Sequence, residues 1–150
     1  MAYSNSSIDD TQFAHEVLEI SRVVRVVKGG RRFRFRASVV VGDKNGRLGF
    51  GISKSRDVQQ AIQKAQARAM KRIVTIPLVE GTISQEVISK YKGAKVMLKP
   101  ARPGTGIIAG GIIRTVADLA GIKDLVSKRY GSTNRVSNAQ AVIKALESIA

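Results

Sequence analysis

Seven of the fifteen residues from Arg22 to Arg36 are cationic: Arg22, Arg25, Lys28, Arg31, Arg32, Arg34 and Arg36. No acid follows before Asp43. The chemistry open to such a row is neutralisation of a polyanion. Arg32, Arg34 and Arg36 alternate with Phe33, Phe35 and Ala37. On a strand, every second residue advances about 6.5–7 Å, close to the phosphate step of a nucleic-acid backbone. Lys28-Gly29-Gly30-Arg31 interrupts the row with paired glycines, which tolerate positive φ and let a backbone come near a ligand. A mobile tip with two solvated charges is the plainer reading of those four residues.

A second chemistry is suggested by Gly104-Thr105-Gly106-Ile107-Ile108-Ala109, a G-x-G-x-x-A run. In a dinucleotide-binding protein such a run seats pyrophosphate on a helix N-terminus. The ribose-binding acid should follow about 20 residues later at a strand end, and Asp124 has that distance. It falls at the start of its segment, however, and too little chain remains for a doubly wound sheet. Exposed amides beside a helix also suit an RNA phosphate or a neighbouring protein. Lys128-Arg129-Tyr130-Gly131-Ser132-Thr133-Asn134 mixes cations, an aromatic ring and hydroxyls ahead of a helix. Tyr130 can stack on a base and Ser132 or Thr133 can bond phosphate; equally, Asn134 or Ser137 can cap the helix. Acid–base catalysis has little material. The acids are scattered, the serines lack a histidine partner, and His15 is the only histidine. A surface role suits His15 better than a metal.

The elements that must position these residues follow from periodicity. Residues 20–28, 32–42 and 47–53 read as strands. Residues 11–22 fit a short helix or a lead-in strand equally well. Asp43-Lys44-Asn45-Gly46 is a hairpin turn, with Asn-Gly the strongest short signal for one. Phe33, Phe35, Ala37, Val39 and Val41 share one face of the second strand; Arg32, Arg34, Arg36, Ser38 and Val40 share the other. In the third strand Gly49 and Gly51 leave one face open to close approach. Ser55 is expected to cap a helix over 56–74, with Val58, Ala61, Ile62, Ala65, Ala69 and Ile73 inward and Lys64, Arg68, Lys71 and Arg72 outward. Pro77 marks a boundary. Beyond it, strands near 77–84, 85–91 and 94–99, a helix at 108–120, a strand at 122–130 and a helix at 135–149 are expected.

The whole chain has 150 residues and a formal net charge of +15. That excess points to a polyanionic partner, since far smaller charges suffice for solubility. Residues 1–75 hold 15 cations against 6 acids, and residues 76–150 hold 11 against 5, so both halves should touch the partner. Without cysteine there is no disulfide framework and no thiolate site. The polar, acidic beginning MAYSNSSIDD is expected to be a flexible arm rather than a secretory signal. From residues alone the fold class is α+β and the protein a basic RNA binder. A free duplex-binding protein and a nucleotide-dependent enzyme remain open beside a structural one.

Longer stretches carry a resemblance. VVKGGRRFRF, VVVGDKNGRLGFG, AIQKA, PARPGTGIIAGG and KRYGSTN occur in that order, and together they resemble bacterial small-subunit ribosomal protein five over about residues 15–150. Beside the flexible arm expected at 1–14, the resemblance implies a double-stranded-RNA-binding-like domain at 15–75 and a C-terminal α/β sandwich with a left-handed βαβ crossover at 76–150. It implies a non-catalytic, cofactor-free and metal-free protein in the cytoplasmic ribosome. Its partners would be ribosomal RNA near the central pseudoknot and neck, ribosomal proteins four and eight, and messenger RNA on its inward path. The first hairpin loop is linked in that family to spectinomycin resistance; here it is Lys28, Gly29, Gly30 and Arg31. RNA contact is expected at Arg25, Lys28, Gly29, Gly30, Arg31, Arg32, Arg34, Lys54, Arg56, Lys64, Arg68, Lys128, Tyr130, Ser132 and Asn134. A protein contact tied to decoding accuracy is expected at Gly104, Thr105, Gly106 and Arg114.

Overall fold

The computed structural model describes residues 13–149, so the arm expected at the N-terminus lies almost wholly outside the described residues. Eleven elements follow one another: β1 (Ala14–Val27), β2 (Gly30–Gly42), β3 (Arg47–Ser55), α1 (Val58–Met70), β4 (Ile73–Thr75), β5 (Val87–Tyr91), β6 (Ala94–Pro100), β7 (Ile107–Ile108), α2 (Gly111–Ala120), β8 (Leu125–Gly131) and α3 (Arg135–Ile149). They make two four-stranded sheets, ordered β1-β2-β3-β4 and β5-β6-β8-β7. The first is antiparallel throughout. In the second, β7 and β8 run parallel, joined through α2 as a βαβ unit. The architecture is α+β, as expected. No described helix is long and apolar enough to cross a membrane.

The first sheet is buried on both faces along part of its length. Ala37, Val39 and Val41 pack against Ala61, Ala65 and Ala69 of α1. Small residues let the helix come down on the strands. Gly49 and Gly51 extend that approach: a Cβ on Gly51 would stand 2.1 Å from the Ala65 carbonyl oxygen. The open backbone read from these glycines therefore receives a helix of the same chain.

The other face of β2 is also closed. Val40 joins Leu18, Leu48, α2, α3 and the inner face of the second sheet in one core. A bulge leaves Leu18 between Val17, opposite Val39, and Glu19, opposite Ser38. Its side chain turns into that core, and the Arg135 guanidinium donates to its carbonyl oxygen at 3.2 Å. The layers thus run α1, first sheet, α2 with α3, second sheet. The face shared by Arg32, Arg34, Arg36, Ser38 and Val40 is split by position. Arg32 and Arg34 are exposed near the tip, whereas Ser38 and Val40 are buried further along.

Several element expectations need correction. Of the two readings of residues 11–22 the strand holds from Ala14, because β1 pairs with β2 over its whole length. Helix α1 starts after Asp57, which makes no side-chain capping bond; the Ser55 hydroxyl instead donates to Gln60 Oε1 at 3.1 Å. The helix stops at Met70 because Ile73–Thr75 pair along the edge of β3. No strand occupies 77–84. Glu80 and Gly81 have φ of 51° and 78°, so Val79 and Thr82 close a tight turn there. Helix α2 starts at 111 rather than 108, since Ile107 and Ile108 are drawn into β7.

Candidate nucleic-acid interface

Pairing with β3 ends at Phe35 opposite Ser55, while β1 and β2 stay paired to Val27 opposite Gly30. The end of the hairpin is therefore a two-stranded ribbon projecting past its sheet. Lys28 and Gly29 close it, and Gly29 has φ +90°. Nothing approaches a Cβ built on Gly29 or Gly30 within 4 Å.

Register sorts the cations by face. Arg25 stands opposite Arg32, Val23 opposite Arg34, and Ser21 opposite Arg36; across the next ladder Arg36 faces Lys54. Residues directly opposite share a face. Arg25, Arg32, Arg34 and Lys54 line a shallow groove of about 400 Å³, with Val23 and Val27 between them. No carboxylate lines it. Like charges placed directly opposite on a sheet destabilise it. Arg25 against Arg32 is such a pair, and both residues are exposed.

The opposite face of the ribbon carries Arg22 and Arg31 with Val24, Val26 and Phe33. Phe33 shares its face of β2 with the buried Ala37, Val39 and Val41 but not their burial. The ring is 44% exposed because α1 covers β2 only from Ala37 onward. Arg22 supplies part of the missing cover, with its guanidinium carbon 3.8 Å from the ring centroid.

The remaining candidates scatter. Arg56 and Lys64 are exposed. Arg68 donates through Nη1 to the Ile52 carbonyl at 2.8 Å, tying α1 to β3. Together with Lys71 and Arg72 it lines a separate groove, reaching Gln140 of α3. Lys128 and Tyr130 lie on the second sheet, away from the ribbon. Ser132 and Asn134 are engaged locally. The Ser132 hydroxyl oxygen accepts the Asn134 amide at 3.1 Å, and Asn134 Oδ1 accepts the Val136 amide at 3.0 Å. This is helix capping. His15 is exposed on β1 opposite Val41, and among the described residues no three His, Cys, Asp or Glu are placed to hold a metal.

The glycine loop is held from beneath. Gly104 and Gly106 have φ of 90° and 74°. Thr105 Oγ1 donates to the Arg102 carbonyl at 2.7 Å, and the Gly106 amide donates to Asp124 Oδ1 at 2.9 Å. Asp124 is buried, so the acid at the ribose-binding distance serves its own loop instead. Strand β7 and Ala109-Gly110 also separate Gly106 from the start of α2, which removes the tight strand-to-helix turn that pyrophosphate binding needs. Arg114 is exposed on α2, and with Ile107, Glu16, Asp118 and Lys123 it lines a cavity of about 500 Å³.

Three cations went unread in the sequence: Lys90, Lys95 and Lys99 share the outer face of the second sheet with Lys128 and Tyr130. The alternation along residues 94–99 was the available signal.

Comparison with known proteins bears on the whole chain. Residues 13–77 match the family model "Ribosomal protein S5, N-terminal domain", and residues 89–150 match "Ribosomal protein S5, C-terminal domain". The small ribosomal subunit protein uS5 of Thermotoga neapolitana is 46% identical over 138 residues, covering 92% of this chain and 78% of its own length. The uS5 protein of Thermotoga maritima gives the same figures of 46%, 92% and 78%. Both halves match in order and the identity runs almost from end to end, so the chain belongs to the uS5 family of small ribosomal subunit proteins.

Proposed function

We propose that this chain, a structural and non-enzymatic protein of the small subunit in the cytoplasmic ribosome, holds ribosomal RNA with the β1–β2 ribbon. The carrying observation is the exposed groove of Arg25, Arg32, Arg34 and Lys54, in which Arg25 faces Arg32 with no carboxylate to separate them. Such an arrangement is unfavourable in the free protein and becomes favourable when converging phosphates enter it. Lys28 and Arg31 flank the tip, while Gly29 and Gly30 leave room for an RNA backbone. Arg56 and Lys64 add exposed charge after β3 and on α1, and Arg68 belongs to a separate basic groove with Lys71 and Arg72.

The family resemblance supports finer assignments. The RNA is the region of the central pseudoknot and neck. The protein neighbours are ribosomal proteins four and eight, and messenger RNA passes near the chain on its way in. Gly104, Thr105, Gly106 and Arg114 make the contact with ribosomal protein four that bears on decoding accuracy. The test is a salt titration of binding to small-subunit ribosomal RNA. Changing Arg32 and Arg34 to Ala should lower the slope of log K against log salt by about 0.9 per lost phosphate contact on the duplex scale. A slope equal to that of the parent chain would withdraw the role from this groove.

A further inference from the structure

The second sheet has one covered face and one bare one. Ala94, Val96, Leu98 and Leu125 point inward, where the core with α3 buries them. Alternation then sends Lys95, Met97 and Lys99 of β6 outward. Register places Lys90 opposite Lys95, Lys95 opposite Tyr130, and Met97 opposite Lys128. The lysines Lys90, Lys95, Lys99 and Lys128 are all exposed, and the four strands contain no acid. The ion pair found among the described residues, Arg47 with Asp43, lies elsewhere. Tyr130 is 46% exposed, with Lys95 Nζ 5.9 Å from its ring centroid.

We propose that this face is a second RNA surface, binding a single-stranded or looped-out segment whose phosphates meet the lysines while one unpaired base stacks on Tyr130. The inference rests on the reading that the partner is ribosomal RNA. Charge complementarity selects the occupant: around an apolar strip of Ile88, Met97, Val126 and Ile108 the face offers four lysine donors and a ring, and its strands carry no carboxylate. Lys95 and Lys99 sit four residues apart on one strand, about 13 Å, or roughly two phosphate steps of an extended chain. An aromatic ring standing out from a sheet is useless to a base already stacked inside a duplex and fits a base splayed from a single strand. The ribbon belongs to the first sheet, and α2 with α3 lie between the two sheets. The chain would therefore join two RNA segments rather than hold one.

The experiment uses the full chain and a fluorescent oligouridylate of about ten nucleotides, within the span of known single-strand sites. Affinity is measured across a range of salt. Replacing Lys90, Lys95, Lys99 and Lys128 by Ala should remove roughly 3 from the salt slope, at about 0.7 per single-strand phosphate contact. Tyr130→Ala, with the lysines intact, should weaken binding about tenfold, and Tyr130→Phe should restore it, since stacking needs the ring and not the hydroxyl. Circular dichroism verifies that each variant is folded. A parental slope in the lysine variant, a parental affinity in Tyr130→Ala, or no binding of oligouridylate by the parent chain at low salt overturns the proposal and leaves this face to a protein neighbour. The ribbon is judged separately, by the Arg32 and Arg34 substitutions on ribosomal RNA, so either surface can fail alone.

Discussion

Gly42 and Leu119 touch main chain to main chain: a Cβ on Gly42 would stand 2.2 Å from the Leu119 carbonyl oxygen. That same oxygen accepts the Lys44 amide at 3.0 Å, and the Ala120 carbonyl accepts the Gly46 amide at 2.9 Å. The β2–β3 turn is thus fastened to the C-terminal end of α2. Gly121, with φ +87°, completes the fit against the Lys44 carbonyl. The two halves share one core through this seam, so an error here should be felt in both.

Gly42→Ala is expected to destabilise the chain by at least about 1–3 kcal/mol, the usual cost of overpacking a site that cannot give way. Backbone stands on both sides of the contact, so little relaxation is available. Gly30→Ala serves as the control and should stay within about 0.5 kcal/mol, because nothing lies within 4 Å of its Cβ. Chemical unfolding followed by circular dichroism measures both. Equal stabilities would mean that the seam yields.

Much of this fold was legible, and the misses share a cause. Period two along Arg32–Val41 located β2, and the spacing of Ala61, Ala65 and Ala69 located the helix on it. Periodicity says which residues share a face but not what covers the face at each position. Val40 looked outward beside the arginines, yet the C-terminal half buries it completely. Phe33 looked inward, yet the ribbon outruns α1. Both outcomes depend on contacts distant in sequence. Gly51 shows the reverse: the sequence announced a close approach, and only the fold supplied Ala65 as the approaching group. Of the site, the ribbon cations were visible as a run of charge. The lysines of the second sheet come from separate strands and had to be assembled by the register.

Asp43 should make stability depend on pH. Burial raises the pKa of its carboxyl, but hydrogen bonds from the Asn45 and Arg47 amides and the Arg47 guanidinium outweigh it, leaving the group below its ordinary value. A lowered folded-state value means that the stabilisation is present above the unfolded carboxylate pKa, about 3.9, and is lost as pH falls through the folded value. Asp43→Asn keeps an acceptor for the amides and removes the charge paired with Arg47. The parent should therefore exceed this variant in stability at pH 7, and the gap should narrow at pH 3. Urea unfolding at both pH values decides it. An unchanged gap would assign the effect to turn shape rather than charge.

Asp124 anchors the glycine loop through the Gly106 amide at 2.9 Å from a buried position. Asp124→Ala leaves that amide without its acceptor and should cost about 1–3 kcal/mol. Asp124→Asn, which retains a carbonyl oxygen, should recover most of the loss. Hydrogen exchange at Gly106 gives the local readout: exchange should quicken in the alanine variant and slow again in the asparagine variant. Identical exchange in all three chains would show that the loop is held by other contacts.

Asn134 separates a cap from a phosphate contact. Its Oδ1 accepts the Val136 amide at 3.0 Å, so the side chain is already committed at the start of α3. That helix supplies Ala139, Ala141, Val142, Ala145 and Leu146 to the shared core, which makes its first turn worth holding. Asn134→Ala should lower stability by about 1 kcal/mol, and Asn134→Ser, itself a good cap, should restore it. If capping is the whole role, the salt slope for ribosomal RNA will be the same in all three chains. A slope that falls in both variants while stability is regained in the serine variant would assign Asn134 an RNA contact in addition to the cap.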